Sequence, residues 1–186
     1  MTCIIGLATK GNVWMGADSC SSDSWQERQT LVPKLFSVGE FLIGYTDSFR
    51  MGNILQYHLS PEQIKGQESH QYMVQVFVED VRNKLKDFGW ASTKENVDTG
   101  GVFLVGFRGR LFTIDSDFQV NEMADGLDAC GIGEHHALAA MLALSNKHPK
   151  ERIRKSLEIT SHFCRGVSAP FTISCLKKNG GVDIWK

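Results

Sequence analysis

Met1-Thr2-Cys3-Ile4-Ile5-Gly6-Leu7-Ala8 opens the chain, and the run from Cys3 to Ala8 has the nearly unbroken apolar character of a buried strand. Chain ends are ordinarily polar and frayed. A strand that starts at the third residue instead carries its terminus into a core. Lys10-Gly11-Asn12 supplies a tight turn and Val13–Asp18 a returning strand, so the chain starts with a hairpin. Met1 precedes a small residue, a context that favours its removal. Its loss leaves Thr2 with a free α-amino group and a hydroxyl on one residue, a nucleophile that carries its own base. The plain alternative is that Thr2 merely begins a strand.

Downstream of the hairpin, Ser19–Gln29 is polar and reads as an exposed loop. Val32–Val38 and Phe41–Tyr45, separated by Gly39-Glu40, read as two more strands. The periodicity then changes. Ser48 caps a helix expected over Phe49–His58, ended by Ser60-Pro61. Val74, Phe77, Val78, Val81, Leu85 and Phe88 recur at steps of three and four, which predicts an amphipathic helix from about Ser69 to Phe88. Gly89 stops it, and Trp90–Asp98 is a polar connection. Strands follow at Val102–Phe107, Arg110–Ile114 and Phe118–Glu122. Helices are expected over Glu134–Ser145 and from Lys150 to Phe163, the second opened by Pro149. Strands Phe171–Lys177 and Val182–Trp185 follow. Helices thus come in pairs between blocks of strands, which argues against a doubly wound parallel sheet. The expectation is an α+β fold, a four-layer α-β-β-α sandwich, with residues 1–186 forming a single domain.

Composition narrows the function. A formal net charge of -1 over 186 residues gives no bulk attraction to nucleic acid or to an anionic membrane. No apolar run is long enough to span a bilayer, and the start lacks the basic and apolar regions of a secretory signal. Five scattered cysteines without a CxxC pair argue against structural zinc or a disulfide framework and fit a reducing cytoplasm. The six histidines form no ligand spacing, so no metal is expected. Gly131-Ile132-Gly133 lacks the third glycine of a dinucleotide fingerprint and the lysine of a P-loop, so no cofactor is expected either.

Three positions give Thr2 chemical company. Lys34 supplies a cation that favours the neutral form of a nearby amine, provided that the third strand lies beside the first. Asp18, at the end of the second strand, pairs with Lys34 and fixes its ammonium. Gly44-Tyr45-Thr46-Asp47-Ser48 runs from a strand into a helix N-terminus, where unpaired backbone N–H groups suit an oxyanion hole. A normal capped turn explains the same residues.

Thr2, the hairpin ending Gly16-Ala17-Asp18, Lys34 and the strand reaching Gly44 together resemble the proteasome β-subunit family of N-terminal nucleophile hydrolases. The separations from Thr2 to Asp18 and to Lys34 are those of the family's nucleophile, aspartate and lysine. Gly131-Ile132-Gly133 stands where that family has a Gly-Ser-Gly turn, and the bacterial and phage proteasome-like proteins look nearest. The resemblance implies a threonine-type peptidase working through an acyl-enzyme on peptides or unfolded proteins. It further implies a homo-oligomeric ring and leaves the identity of any ATPase partner open. Thr2, Asp18, Lys34 and Ser168 are the catalytic positions it implies, and Ser48 the backbone oxyanion donor. The same register places Ser21, Thr46 and Arg50 in the pocket for the residue before the cleaved bond, where Arg50 favours acidic or polar side chains. Two departures stand out: Ile132 replaces a helper serine, and Arg165 a helper aspartate. They keep two other readings open, a catalytically silent scaffold of this fold and an amidase acting on a small amide.

Overall fold

Two five-stranded antiparallel sheets carry the chain, each assembled from strands far apart in sequence. The computed structural model describes residues 1–22, 25–64, 66–94 and 97–185. The first strands are β1 (Cys3–Thr9), β2 (Asn12–Ala17), β3 (Cys20–Ser22), β4 (Glu27–Gln29), β5 (Leu35–Val38) and β6 (Phe41–Tyr45). Helix α1 (Phe49–His58) follows, then α2 (Ser69–Tyr72), a π-helical stretch Met73–Phe77, and α3 (Val78–Asp87). After these come β7 (Ser92–Lys94), β8 (Val97–Thr99), β9 (Phe103–Phe107), β10 (Arg110–Ile114), β11 (Val120–Asn121) and β12 (Leu127–Gly131). Helices α4 (Glu134–Ala143) and α5 (Pro149–Phe163) precede β13 (Thr172–Leu176) and β14 (Val182–Trp185).

The first sheet has the order β12-β1-β2-β13-β14 and the second β11-β10-β9-β6-β5. Strand β1 therefore lies inside its sheet, paired with β2 (Ile4 opposite Ala17) and with β12 (Cys3 opposite Gly131). Alternation along β1 sends Cys3, Ile5 and Leu7 into a cluster with Ala137 and Met141 of α4 and Ile153 and Leu157 of α5. Ile4 points the other way, into a cluster with Leu35, Leu42, Leu104 and Leu111 of the second sheet. A third cluster joins the second sheet to Ile54 and Leu55 of α1 and to Phe77, Val81 and Leu85 of the π-α3 region. Burial on both faces is why β1 reads as an apolar run rather than as alternation. Each fully buried Ile there is worth about 1.5–3 kcal/mol. The tightest turns lie at the far end of β1 from Thr2. Lys10 (φ 51) and Gly11 (φ 75), like Arg108 (φ 47) and Gly109 (φ 76), form two-residue turns with both residues left-handed.

Several expectations need correction. The strand β12 was not among the expected strands; it borders β1 and brings Gly131 beside the terminus. The polar segment Ser19–Gln29 holds the short hairpin β3–β4, and the connection after Trp90 holds β7–β8. The strand expected from Val32 starts only at Leu35, since Pro33 has no N–H to give a ladder. That strand, β5, does not lie beside β1: it is the edge of the other sheet.

Candidate active site

Thr2 leads into β1 and is buried, while Met1 before it is 48 % exposed. The N–H of Cys3, the first residue of β1, donates to Asp18 Oδ1 at 2.9 Å. The N–H of Cys20 donates to Asp18 Oδ2 at 2.8 Å. Asp18 stands just after β2, so the hairpin turns its carboxylate back onto the start of its own first strand. Lys34 reaches the same carboxylate from the second sheet, with Nζ 3.1 Å from Oδ1 and 3.0 Å from Oδ2. The side chains of Lys34 and Asp18 are 2 % and 0 % exposed, so the pair is out of water. Such a pair is tolerable only when its remaining hydrogen bonds are made. They are made here: the ammonium also donates to the Cys20 carbonyl and, at 3.3 Å, to the Met1 carbonyl.

The Met1 carbonyl is shared. Thr2 Oγ1 donates to it at 2.6 Å, so the hydroxyl and the Lys34 ammonium converge on the Met1–Thr2 peptide. The Met1 side chain lies against Gly166 (φ 84), where an added Cβ would stand 2.6 Å from the Met1 Cβ. Gly131 (φ 94) passes the Thr2 carbonyl so closely that a Cβ there would lie 2.3 Å from its oxygen. Burial, with the Asp18 carboxylate beside it, pushes the Cys3 thiol well above the usual thiol range. Cys3 is a core residue with no nucleophilic character.

A cavity of about 200 Å³ adjoins Thr2, lined among others by Ser21, Ser22, Lys34, Tyr45, Thr46, Asp47 and Ser48. Thr2, Asp18 and Lys34 are therefore together, with Ser21, Thr46 and Ser48 around the cavity. Ser48 caps α1 with its Oγ, which accepts from Arg50 N–H at 3.0 Å. Its own N–H donates to the Thr46 carbonyl at 2.8 Å across Asp47, whose φ is 63°. The donor expected for an oxyanion is thus engaged in a tight turn in this state. Ser168 joins the region through its carbonyl, which accepts from Ser19 N–H at 3.1 Å; it is not on the cavity wall.

Arg50 requires a correction. Its guanidinium donates to the Phe88 carbonyl at 2.9 Å, just past the C-terminal end of α3, and takes no part in the lining. A free carbonyl at a helix end is a good partner for a cation, and Arg50 follows the helix face rather than the strand end. Ile132 is 54 % exposed, its carbonyl 3.5 Å from Cys164 Sγ. Sequence reasoning missed Ser22; Tyr45, Asp47 and Gly131 entered it only inside the Gly44–Ser48 and Gly131–Gly133 stretches, as turn and backbone positions. Among the described residues no group of His, Cys, Asp or Glu is arranged to hold a metal, and no helix is long and apolar enough to cross a membrane.

No protein-family model matches the chain, and no curated protein matches it. Solved structures do. Thiobacillus denitrificans BPH in complex with epoxomicin superposes with a TM-score of 0.81 at 16% identity, over 95% of this chain and 98% of that one. Eukaryotic HslV from Trypanosoma brucei gives a TM-score of 0.68 at 16% identity, over 95% of this chain and 99% of that one. An Anbu (Gly-1) mutant from Hyphomicrobium sp. strain MC1 gives 0.69 at 14% identity, over 98% and 85%. The chain therefore has the fold shared by BPH, HslV and Anbu.

Proposed function

We propose that this chain is a threonine-type peptidase of the proteasome-like kind, cutting peptide bonds with Thr2 once Met1 has left. The observation that carries this reading is the buried Lys34–Asp18 pair, whose ammonium also faces the Met1–Thr2 peptide. A buried ion pair is a costly way to build stability. Placed beside the terminus, it supplies a fixed cation where Thr2 would expose its amine, and a neighbouring cation favours the amine's neutral, proton-accepting form. Thr2 Oγ1 then attacks the substrate carbonyl carbon as its proton passes to the amine. The C–N bond breaks, the proton leaves with the new amino terminus, and water releases the acyl group from Oγ1.

Asp18 holds the ammonium in place. The developing oxyanion takes the Ser48 N–H, which exchanges the Thr46 carbonyl for it at the N-terminus of α1. Ser168 serves as a helper from behind Ser19. The three apolar clusters support a four-layer α-β-β-α order within one domain. The fold of HslV and BPH, with Ile159 and Phe163 exposed on α5, supports a homo-oligomeric ring that acts on peptides or unfolded proteins.

Intact-mass measurement after expression tests the first requirement, and full retention of Met1 overturns the reading. A peptide epoxyketone should then modify Thr2 alone, and Thr2→Ala should abolish the adduct. Ile132 favours the second reading, a silent scaffold of this fold. A protein that loses Met1, assembles, and takes no adduct at Thr2 decides for the scaffold.

A further inference from the structure

We propose that the cleft at the far end of β1 from Thr2 binds a phosphate monoester, with Lys10, Lys147 and Arg152 holding the phosphate and Trp14 and Ala8 the organic part. The proposal stands apart from the peptidase reading, since the cleft lies roughly 20 Å from Thr2 along the strand. It is a cavity of about 480 Å³, more than twice the volume beside Thr2, walled by the β1–β2 hairpin end, Asp125 before β12, and the connection from α4 into α5. Charge is the first argument. Lys10, Lys147 and Arg152 stand on this wall against a single carboxylate, Asp125, a formal net charge of +2 with histidine taken as neutral. Among the described residues neither Lys10 nor Arg152 forms an ion pair. Lys147 comes only within 3.9 Å of Glu151, which Lys155 holds more closely at 3.2 Å. Beyond the wall Lys177 and Asp183 cancel at 2.8 Å, while Lys178 lies against Gly11 and Lys150 over the Trp185 ring, both without a carboxylate. Like charges gathered in this way repel one another in the folded state, and an anion relieves that repulsion.

Donor geometry is the second argument. Arg152 sits in the first turn of α5, and its Nε donates to the Met141 carbonyl at 2.7 Å. That bond fixes the guanidinium and leaves its two terminal nitrogens without a protein partner among the described residues. Partial burial weakens its hold on the proton, and nearby Asp125 acts the other way. A half-buried guanidinium anchored through Nε presents a fork of N–H groups, which suits phosphate oxygens. His148 adds a neutral donor: its Nδ1 accepts from Lys150 N–H at 3.3 Å, so the ring proton sits on Nε2. The N-terminus of α5 contributes its dipole rather than N–H groups, because Pro149 has none and that of Lys150 is already used. A wall of +2 with such a fork matches a dianion better than a single carboxylate. A bare phosphate leaves much of the cavity empty. Trp14, held by stacking on Trp185 at 5.6 Å and against His148 at 5.3 Å, gives the rest of the ligand a fixed apolar wall. A nucleotide and a sugar phosphate share this chemistry.

The test titrates AMP, ribose 5-phosphate, inorganic phosphate, adenosine and citrate into the full chain by calorimetry. AMP and ribose 5-phosphate should bind at least about tenfold more tightly than inorganic phosphate, a difference of about 1.4 kcal/mol, and adenosine should not bind. AMP ahead of ribose 5-phosphate identifies a nucleotide, and a tie or the reverse order a sugar phosphate; either supports the site. Lys10→Asn and Arg152→Gln should each weaken binding at least about tenfold, as loss of a charge-assisted contact requires. Arg152→Gln also loses the bond to Met141, so Lys10→Asn decides: position 10 is exposed, and asparagine tolerates its left-handed backbone (φ 51). Melting temperature without ligand should be unchanged by Lys10→Asn. Neither ester binding at millimolar concentration, inorganic phosphate or citrate binding as tightly as the esters, or undiminished affinity in Lys10→Asn overturns the proposal. Labelling of Thr2 by an epoxyketone reads the other end of β1, so its failure alongside these affinities overturns the peptidase reading alone.

Discussion

The Lys34 ammonium and the Asp18 carboxylate meet at 3.0 Å although they hang from different sheets. Asp18 closes β2 in the first sheet, and Lys34 precedes β5 on the edge of the second. The pair links the two sheets at the end where the chain starts, beside Met1 and Thr2. Removing one partner is the expensive change, because the other is left charged and dry. Lys34→Met should destabilise the protein by roughly 3–5 kcal/mol. The double change Lys34→Met with Asp18→Asn leaves no charge behind and should recover much of that loss. Urea midpoints read both. Neither protein should form the Thr2 adduct, so stability returns without activity, and a double variant that labels normally removes Lys34 from the mechanism.

Gly131 is the position where backbone and site are most tightly bound. Its φ of 94° is open to glycine, and a Cβ would stand 2.3 Å from the Thr2 carbonyl oxygen. Gly131→Ala must therefore pay backbone strain and also push β12 off the start of β1. A loss of about 1–3 kcal/mol is expected from the backbone term. Movement of Thr2 should cut adduct formation far more than that loss of stability would. Gly39→Ala is the control: its φ is 55° but nothing lies within 4 Å of the added methyl. It should cost stability and leave labelling alone.

Local periodicity made much of this molecule legible from the chain. β1, β2 and β6 announce themselves because each is buried on both faces, and α5 because Pro149 opens it. Thr2, Asp18 and Lys34 were legible as a spacing, though the physical route that joins them was not. Lys34 was expected beside Thr2 through strand pairing; it arrives across the gap between sheets, which no local pattern encodes. β12 was hidden for a related reason. Its residues Leu127-Asp128-Ala129-Cys130-Gly131 include weak strand formers, and the pairing that stabilises them lies more than a hundred residues earlier. Arg50 illustrates the limit of carrying a register into side chains. Position along the backbone placed it near the cavity, and a carbonyl at the end of α3 took its guanidinium elsewhere.

Ile132 tests whether the missing helper serine limits the reaction. It is 54 % exposed, so Ile132→Ser removes little packing, and its effect on stability should stay within about 0.5 kcal/mol. The family resemblance puts a serine hydroxyl at this position, where it would give the proton a second route between Thr2 and the leaving amine. Labelling of Thr2 should quicken, by up to roughly a hundredfold if the relay limits acylation. The comparison is single-turnover adduct formation at fixed probe concentration. A rate that does not change takes position 132 out of the relay.

The acid limb of stability should carry the signature of Glu68, remote from the site. Its Oε2 accepts from Gln71 N–H at 2.9 Å at the start of α2, and Arg110 pairs with its other oxygen. The backbone N–H groups of Gln71 and His70 come first in holding its carboxyl down to about 2, from 4.5, with Arg110 adding to them. The unfolded chain therefore binds more protons than the folded one between these values, and stability rises with pH across that window. The contribution is complete above 4.5 and disappears as pH falls through about 2. Glu68→Gln should flatten the dependence of the urea midpoint on pH in this range, and change it little at neutral pH beyond a constant offset. An acid limb of unchanged slope would assign the acid sensitivity to other carboxylates.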